Sequence, residues 1–208
     1  MGLLRDPYML LLTIPGVFWA ISFHEFCHGY AAKLVGDPTA ERQGRLSLNP
    51  LAHFDVLGTL MLLLFGFGWA KPVPINTRYF KNPRRDILIV ALAGVAGNFL
   101  TAIVCVLFLR AFGSVWFQLT GRAGLLVIFQ IIRVNMGLAA FNLIPIPPLD
   151  GSRVLSTFLP FRALSYYYWM EQYGMFILVI LLLTGIIDIF FYPISSLLWA
   201  LLPTGRIM

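Results

Sequence analysis

The chain has 208 residues, 59% hydrophobic and 12% charged, with a mean hydropathy of +0.83. A soluble domain is about 25% charged and 45–50% apolar, so a sizeable soluble domain is excluded and one membrane-embedded domain over residues 1–208 is expected. The net charge of +6 sits in loops with no basic-aromatic platform, which excludes a nucleic-acid partner and points to topology signals and anionic lipid.

The runs are apolar throughout rather than alternating, so the fold class is an all-α integral membrane protein and not a barrel. Residues 8–35 form the first expected span, with Pro15-Gly16 as a kink and Gly36-Asp37-Pro38 as the stop. Arg5 before apolar sequence mimics a signal peptide, but cleavage there would discard or sever the helix that carries His24, Glu25 and His28, so it is read as retained. Residues 37–53 are polar and turn-rich, with Gly44–Leu48 as a candidate short strand.

Residues 54–70 are apolar but short, and Gly58, Gly66 and Gly68 weaken a helix there. Basic residues flank the segment on both sides: Lys33, Arg42 and Arg45 before it, and Lys71, Arg78, Lys81, Arg84 and Arg85 after it. Spanning would leave one basic loop outside, so a re-entrant loop or hairpin with both ends inside is expected.

Residues 87–112 and 123–144 are the next spans, joined by a loop at 113–122. The first carries Gly94, Gly97 and Asn98, small and polar residues that suit close helix packing. The second carries Arg133 and Asn135 and ends in Asn142-Leu-Ile-Pro-Ile-Pro-Pro-Leu-Asp-Gly151, where the prolines predict extended backbone. Residues 152–170 read as a short surface helix and linker, with an aromatic belt at Tyr166–Trp169. Residues 173–192 form the last span, broken at Pro193. The expected fold is therefore about four transmembrane helices plus the re-entrant segment near 54–70. The N- and C-termini lie outside, and 36–86 and 150–171 lie inside.

Within the first span, His24, Glu25 and His28 read H-E-x-x-H. On a helix the two imidazoles are one turn and about 40° apart, so both face one metal. Glu25 lies beside them as general base, the zinc-protease arrangement. Charged groups inside a span are costly and are functional by default. A catalytic zinc takes three protein ligands and an open position, so one ligand is missing. The candidates are His53, Asp55, Asp150 and Asp188. Asp150 is preferred, because its proline-broken backbone can bring a carboxylate beside another helix. The amides of Asn98 and Asn142 are candidates for oxyanion stabilisation or for holding an extended substrate strand. Cys27 projects away from the shared face and reads as a packing residue. Cys27 and Cys105 suggest no disulfide framework.

Three motifs occur in order: His24-Glu-Phe-Cys-His28, Gly94-x-x-x-Asn98 and Asn142-x-x-Pro145-x-Pro147-Pro148-Leu-Asp150-Gly151. With these the chain resembles the site-2 protease family of intramembrane zinc metalloproteases. Residues 44–50, His53 and residues 68–74 resemble its compact subgroup, without PDZ or CBS domains. The resemblance implies one Zn2+ per chain on His24, His28 and Asp150, with Glu25 catalytic. It also implies substrate-binding or oxyanion roles for Asn98, Asn142 and His53. The implied activity is cleavage of transmembrane protein substrates within the lipid bilayer. The implied setting is a bacterial plasma membrane, with the site toward the cytoplasm. A non-proteolytic metal transporter or scaffold is the rival reading. It would show internal symmetry and a polar path, whereas the polar groups here gather at one depth. Reporter cysteines at positions 50 and 80 are expected to be labelled from the same side of the membrane, and labelling from opposite sides would refute the re-entrant reading.

Overall fold

The computed structural model describes residues 6–58, 61 and 68–203. Among these the chain is all-helical, with no β-strand. Helix α1 is Pro7–Leu34. The Asp6 carboxylate accepts from Tyr8 N at 3.0 Å and Met9 N at 3.2 Å, and Pro7 opens the first turn where its missing N–H costs nothing. Pro15 lies inside the helix without ending it. Gly36, at φ 108°, turns the chain out of α1. The short helix α2, Thr39–Arg42, follows.

Helix α3 runs Pro83–Asn142, 60 residues. Laid straight it would measure about 90 Å, three times the hydrocarbon thickness of a bilayer, about 30 Å. It does not run straight. Gly121 adopts φ 63° and ψ −156°, a conformation open essentially to glycine alone. Asn98 and Asn135, 37 residues apart, hydrogen-bond at 2.9 Å, whereas a straight helix would hold them roughly 55 Å apart. The two arms of α3 therefore fold back on one another as antiparallel passes. Val95, Ala102 and Val106 of the first arm share a core with Ile132, Met136 and Ala139 of the second. The expected loop at 113–122 is corrected here: the chain stays helical to residue 120, and one glycine does the work of a loop.

Three other expectations are also corrected. Gly44–Leu48 form no strand: Gly44 sits in a turn at φ 64°, and residues 45–49 pair with no strand among the described residues. Residues 145–149 are a run of tight turns rather than extended chain. Ile146 N bonds Ile144 O at 2.8 Å and Leu149 N bonds Ile146 O at 3.0 Å. Ile144, Ile146 and Leu149 are buried, so their amides find acceptors on carbonyls three or fewer residues back instead of in water. The last apolar stretch breaks at Gly185, not at Pro193. Helices α4 (Asp150–Phe158), α5 (Phe161–Gln172), α6 (Gly174–Thr184) and α7 (Asp188–Leu201) follow in order. Gly185, at φ 73°, caps α6, and Pro193 sits inside α7 at the loss of one ladder bond.

Helices α5 and α6 meet at 71° and together are long and apolar enough for one broken span. With α1 and the two arms of α3 this makes about four passes. Most of the proposed re-entrant segment, residues 59–60 and 62–67, lies outside the described residues. Its ends meet. Lys71 N–H donates to His53 O at 2.9 Å, and a Cβ on Gly58 would lie 2.0 Å from the Trp69 carbonyl oxygen. The chain thus leaves and returns at one place. Gly121→Ala is expected to cost about 1–3 kcal/mol for the conformation that alanine resists, read as a lowered Tm of the full chain in detergent.

Candidate metal centre

Helix α1 places His24 and His28 on its face toward the first arm of α3, each 5% exposed. Their Nε2 atoms lie 3.0 Å apart. Asp150 Oδ2 is 3.0 Å from His28 Nε2 and 3.1 Å from His24 Nε2. Among the described residues these three form the group able to hold a metal, and all are buried.

The far ring nitrogens decide what the near ones can do. His24 Nδ1 lies 2.7 Å from Asn98 Oδ1, and His28 Nδ1 lies 2.7 Å from Val90 O. The Asn98 amide is oriented by its own donors: Nδ2 gives to Ala20 O at 3.0 Å and to Asn135 Oδ1 at 2.9 Å. Oδ1 therefore faces His24. Both Nδ1 partners are acceptors, so each Nδ1 carries the proton and each Nε2 presents a lone pair. Two imidazole lone pairs and a carboxylate oxygen then converge with no proton between them. A cation among them resolves this. Zinc with bonds of about 2.0–2.2 Å and tetrahedral geometry holds its donors roughly 3.3 Å apart, so the donor set and its spacing fit.

The sequence places these groups by close approach. Val90, Gly94 and Asn98 recur every four residues along one face of α3, against Ala20, His24 and His28 on α1. A Cβ on Gly94 would lie 2.4 Å from His28 Nε2 and 2.6 Å from His24 Cε1. Gly94 thus leaves the space that the two rings occupy. A Cβ on Gly97 would lie 2.5 Å from Cys27 Sγ, so Cys27 packs against α3 beside the site. Asp150 is the first residue of α4, carried there by the turns after α3. A Cβ on Gly151 would lie 2.2 Å from Leu143 O, so glycine lets α4 begin directly on the end of α3.

Glu25 lies beside this group, half-buried, and its Oε2 accepts the Val73 N–H at 2.8 Å. Asn98 is fully buried and both of its amide protons are committed. Asn142 Nδ2 donates to Leu138 O, 3.1 Å away in its own helix. His53 is buried outside the group: Nε2 lies 2.9 Å from Ser47 O, and Nδ1 has no partner among the described residues. Asp55 caps its own turn through Gly58 N at 2.7 Å, and Asp188 opens α7. Sequence reasoning named Asn135 as a polar residue in a span but saw no link to His24. It missed the Val90 carbonyl and the Val73 amide entirely, since a backbone group leaves no mark in residue type.

Comparison with known proteins now bears on the same site. The chain is 36% identical over 205 residues to "Putative zinc metalloprotease YwhC" of Bacillus subtilis, covering 96% of this chain and 88% of that one. The chain belongs to this zinc metalloprotease family. It is 29% identical over 196 residues to "Putative zinc metalloprotease Rip2" of Mycolicibacterium smegmatis, covering 89% of this chain and 72% of that one. A third relative, "Putative zinc metalloprotease MJ0611" of Methanocaldococcus jannaschii, is 28% identical over 152 residues, 71% of this chain and 70% of that one. No family model matches the chain, and no solved structure matches it. A metalloprotease requires a metal on its catalytic face, and the His24–His28–Asp150 triangle is where this family member can hold one. Gly94→Ala is expected to lower zinc per purified chain by about tenfold or more, since its Cβ would push both imidazoles off their positions and disturbed ligand orientation costs about 10–100-fold in metal affinity. Gly137→Ala on the same helix, where a Cβ meets nothing within 4 Å, is expected to keep its metal, and metal analysis of both proteins checks this.

Proposed function

We propose that this metalloprotease is an intramembrane endopeptidase of the site-2 type, cutting transmembrane segments of membrane proteins. The observation that carries the reading is the buried three-ligand triangle on helices whose outer faces are apolar, with a carboxylate alongside. Zinc would be held by His24 Nε2, His28 Nε2 and Asp150 Oδ2. When bound, it supplies Lewis acidity toward the scissile carbonyl and makes water a usable nucleophile near neutral pH.

The chain's own groups do the rest. Glu25 takes the proton of the attacking water and returns it to the leaving nitrogen. Val73 N–H holds Oε2 of that carboxylate, leaving Oε1 for the proton. Asn98 orients His24, and Asn135 orients Asn98. With both amide protons committed, Asn98 is assigned this orienting role rather than contact with an oxyanion. Asn142 keeps one amide proton and its oxygen beyond the bond to Leu138 O, so it is the amide we assign to the substrate backbone. His53 anchors the return of the segment 54–70. A substrate helix must unwind locally before cleavage, because its carbonyls are hydrogen-bonded within the helix.

The site lies near one membrane face. His28 stands six residues before the end of α1 at Leu34, about 9 Å along the axis. The loops at that end carry Arg42, Arg45, Lys71, Arg78 and Lys81, which by the positive-inside rule assigns it to the cytoplasm. A plasma membrane suits the bacterial relatives. Glu25→Gln is expected to lower cleavage of a transmembrane reporter by about 10²-fold or more while zinc per chain stays at the wild-type level. A chelator should stop the wild-type protein and added zinc should restore it. Cleavage that survives Glu25→Gln would remove Glu25 from the mechanism.

A further inference from the structure

The segment Lys71-Pro72-Val73-Pro74 lies across the Glu25 side of α1. Proline has no N–H, so Val73 is the only backbone donor in residues 72–74, and that donor is spent on Glu25 Oε2 at 2.8 Å. Val73 is 5% exposed. Its Cγ1 lies 3.0 Å from where a Cβ on Gly29 would stand, one helical turn beyond Glu25. Side chain and amide of Val73 are thus both seated on α1.

The segment is tied down on either side of this contact. Arg45 Nη2 donates to Lys71 O at 2.9 Å and to Pro72 O at 3.1 Å. Lys71 N–H donates to His53 O at 2.9 Å. Beyond Val73, Asn76 N–H donates to Asp37 Oδ2 at 2.6 Å, and Asp37 is fully buried. The result is a strap with fixed ends and one donor in its middle, aimed at the carboxylate beside the metal ligands.

We infer that Arg45 and the Val73 amide position the catalytic base, Arg45 acting through the strap and never touching substrate. The inference rests on the reading of Glu25 given above. A glutamate side chain has three rotatable torsions, and a base must be held within hydrogen-bond reach of the proton it takes. A charge-assisted bond from a fixed backbone amide pins one oxygen and aims the other. The flanking prolines serve the same end. They hold Val73 in extended backbone and leave its amide without a competing neighbour. Because a single Arg45 nitrogen makes both carbonyl contacts, a lysine ammonium can replace it and an uncharged side chain cannot.

The test uses the full chain in detergent, with kcat and KM on a transmembrane reporter, zinc per chain, and hydrogen exchange of the Val73 amide. Val73→Ala loses packing on Gly29 but keeps the N–H, whereas Val73→Pro loses both. Val73→Pro is expected to fall below Val73→Ala by about tenfold or more in kcat, the scale of one charge-assisted hydrogen bond, with KM and zinc content shared by the two. Arg45→Met should fall likewise, and Arg45→Lys should recover most of the loss. In Glu25→Ala and in Arg45→Met the Val73 amide should exchange at least about tenfold faster than in wild type. Equal kcat in the two Val73 variants, no rescue by lysine, or unchanged exchange would overturn the inference. So would a faster Val73→Pro enzyme, which would make the strap a lid. If Val73→Pro does not fold, the Arg45 pair and the exchange rates still decide. Survival of cleavage in Glu25→Gln marks failure of the base assignment itself; loss there, with equal Val73 variants, marks failure of the positioning role alone.

Discussion

Everything at the site depends on how closely α1 and the first arm of α3 approach. At Gly94 the backbone of one helix lies directly against two imidazoles of the other, with no room for a single extra carbon. That approach lets Val90 O and Asn98 Oδ1 reach the far nitrogens of His28 and His24 at 2.7 Å. In a bilayer no water can stand in for a missing partner, and an unpaired polar group costs several kcal/mol. The same contact therefore satisfies the rings, fixes their tautomers and turns both lone pairs inward. Outer partners of this kind orient ligating histidines in metal sites generally. Here they come from one helix face with a four-residue repeat.

Asp150, the third member of the candidate metal group, poses a different problem, because it arrives from 122 residues beyond His28. It comes not from α3 but from the first residue of α4. Pro145, Pro147 and Pro148 remove three donors and rule out a continued helix. The donors that remain curl back onto nearby carbonyls, which makes the segment compact and buried. Gly151 then allows α4 to start on the carbonyls that end α3. Asp150 is held by that junction and by no long side-chain lever. The site assembles only when α1, the fold-back of α3 at Gly121 and this junction are all in place. That is costly in loop closure but rigid once formed.

How much of this could be read beforehand depended on whether a role belonged to a side chain or to the backbone. His24, His28 and Asp150 are rare polar residues in apolar sequence, so each was visible as an expense needing a reason. About four passes followed from apolar length alone. The reversal at Gly121 was less legible. A glycine inside helical sequence looks the same whether it is tolerated or indispensable, and only its dihedrals separate the two. The turns at 145–149 do not follow from the sequence, because proline tells what a residue cannot donate, not where its neighbours' amides go. Gly94 was legible as a packing residue, but the atoms it makes room for belong to another helix. Val90 O and Val73 N–H had no signature at all.

Helix α1 shows why residue chemistry had to carry the reading instead of amphipathic pattern. Its His24 and His28 face meets α3. Its Glu25 and Gly29 face meets the strap. A third stripe, Trp19, Phe23, Phe26 and Tyr30, stacks ring on ring along the helix, and Trp19 and Tyr30 stay exposed at its ends. No face is left polar toward water, so hydrophobic periodicity has nothing to report. Yet the three faces divide the labour. One is polar only at the candidate metal group. One is small at Gly29, where the Val73 segment lies beside Glu25. One is a stacked aromatic stripe, exposed at Trp19 and Tyr30. A helix specialised on every side tolerates few substitutions. It also explains why the carboxylate sits at the seam between two faces: there it can stand beside the candidate metal group and still be held from the strap.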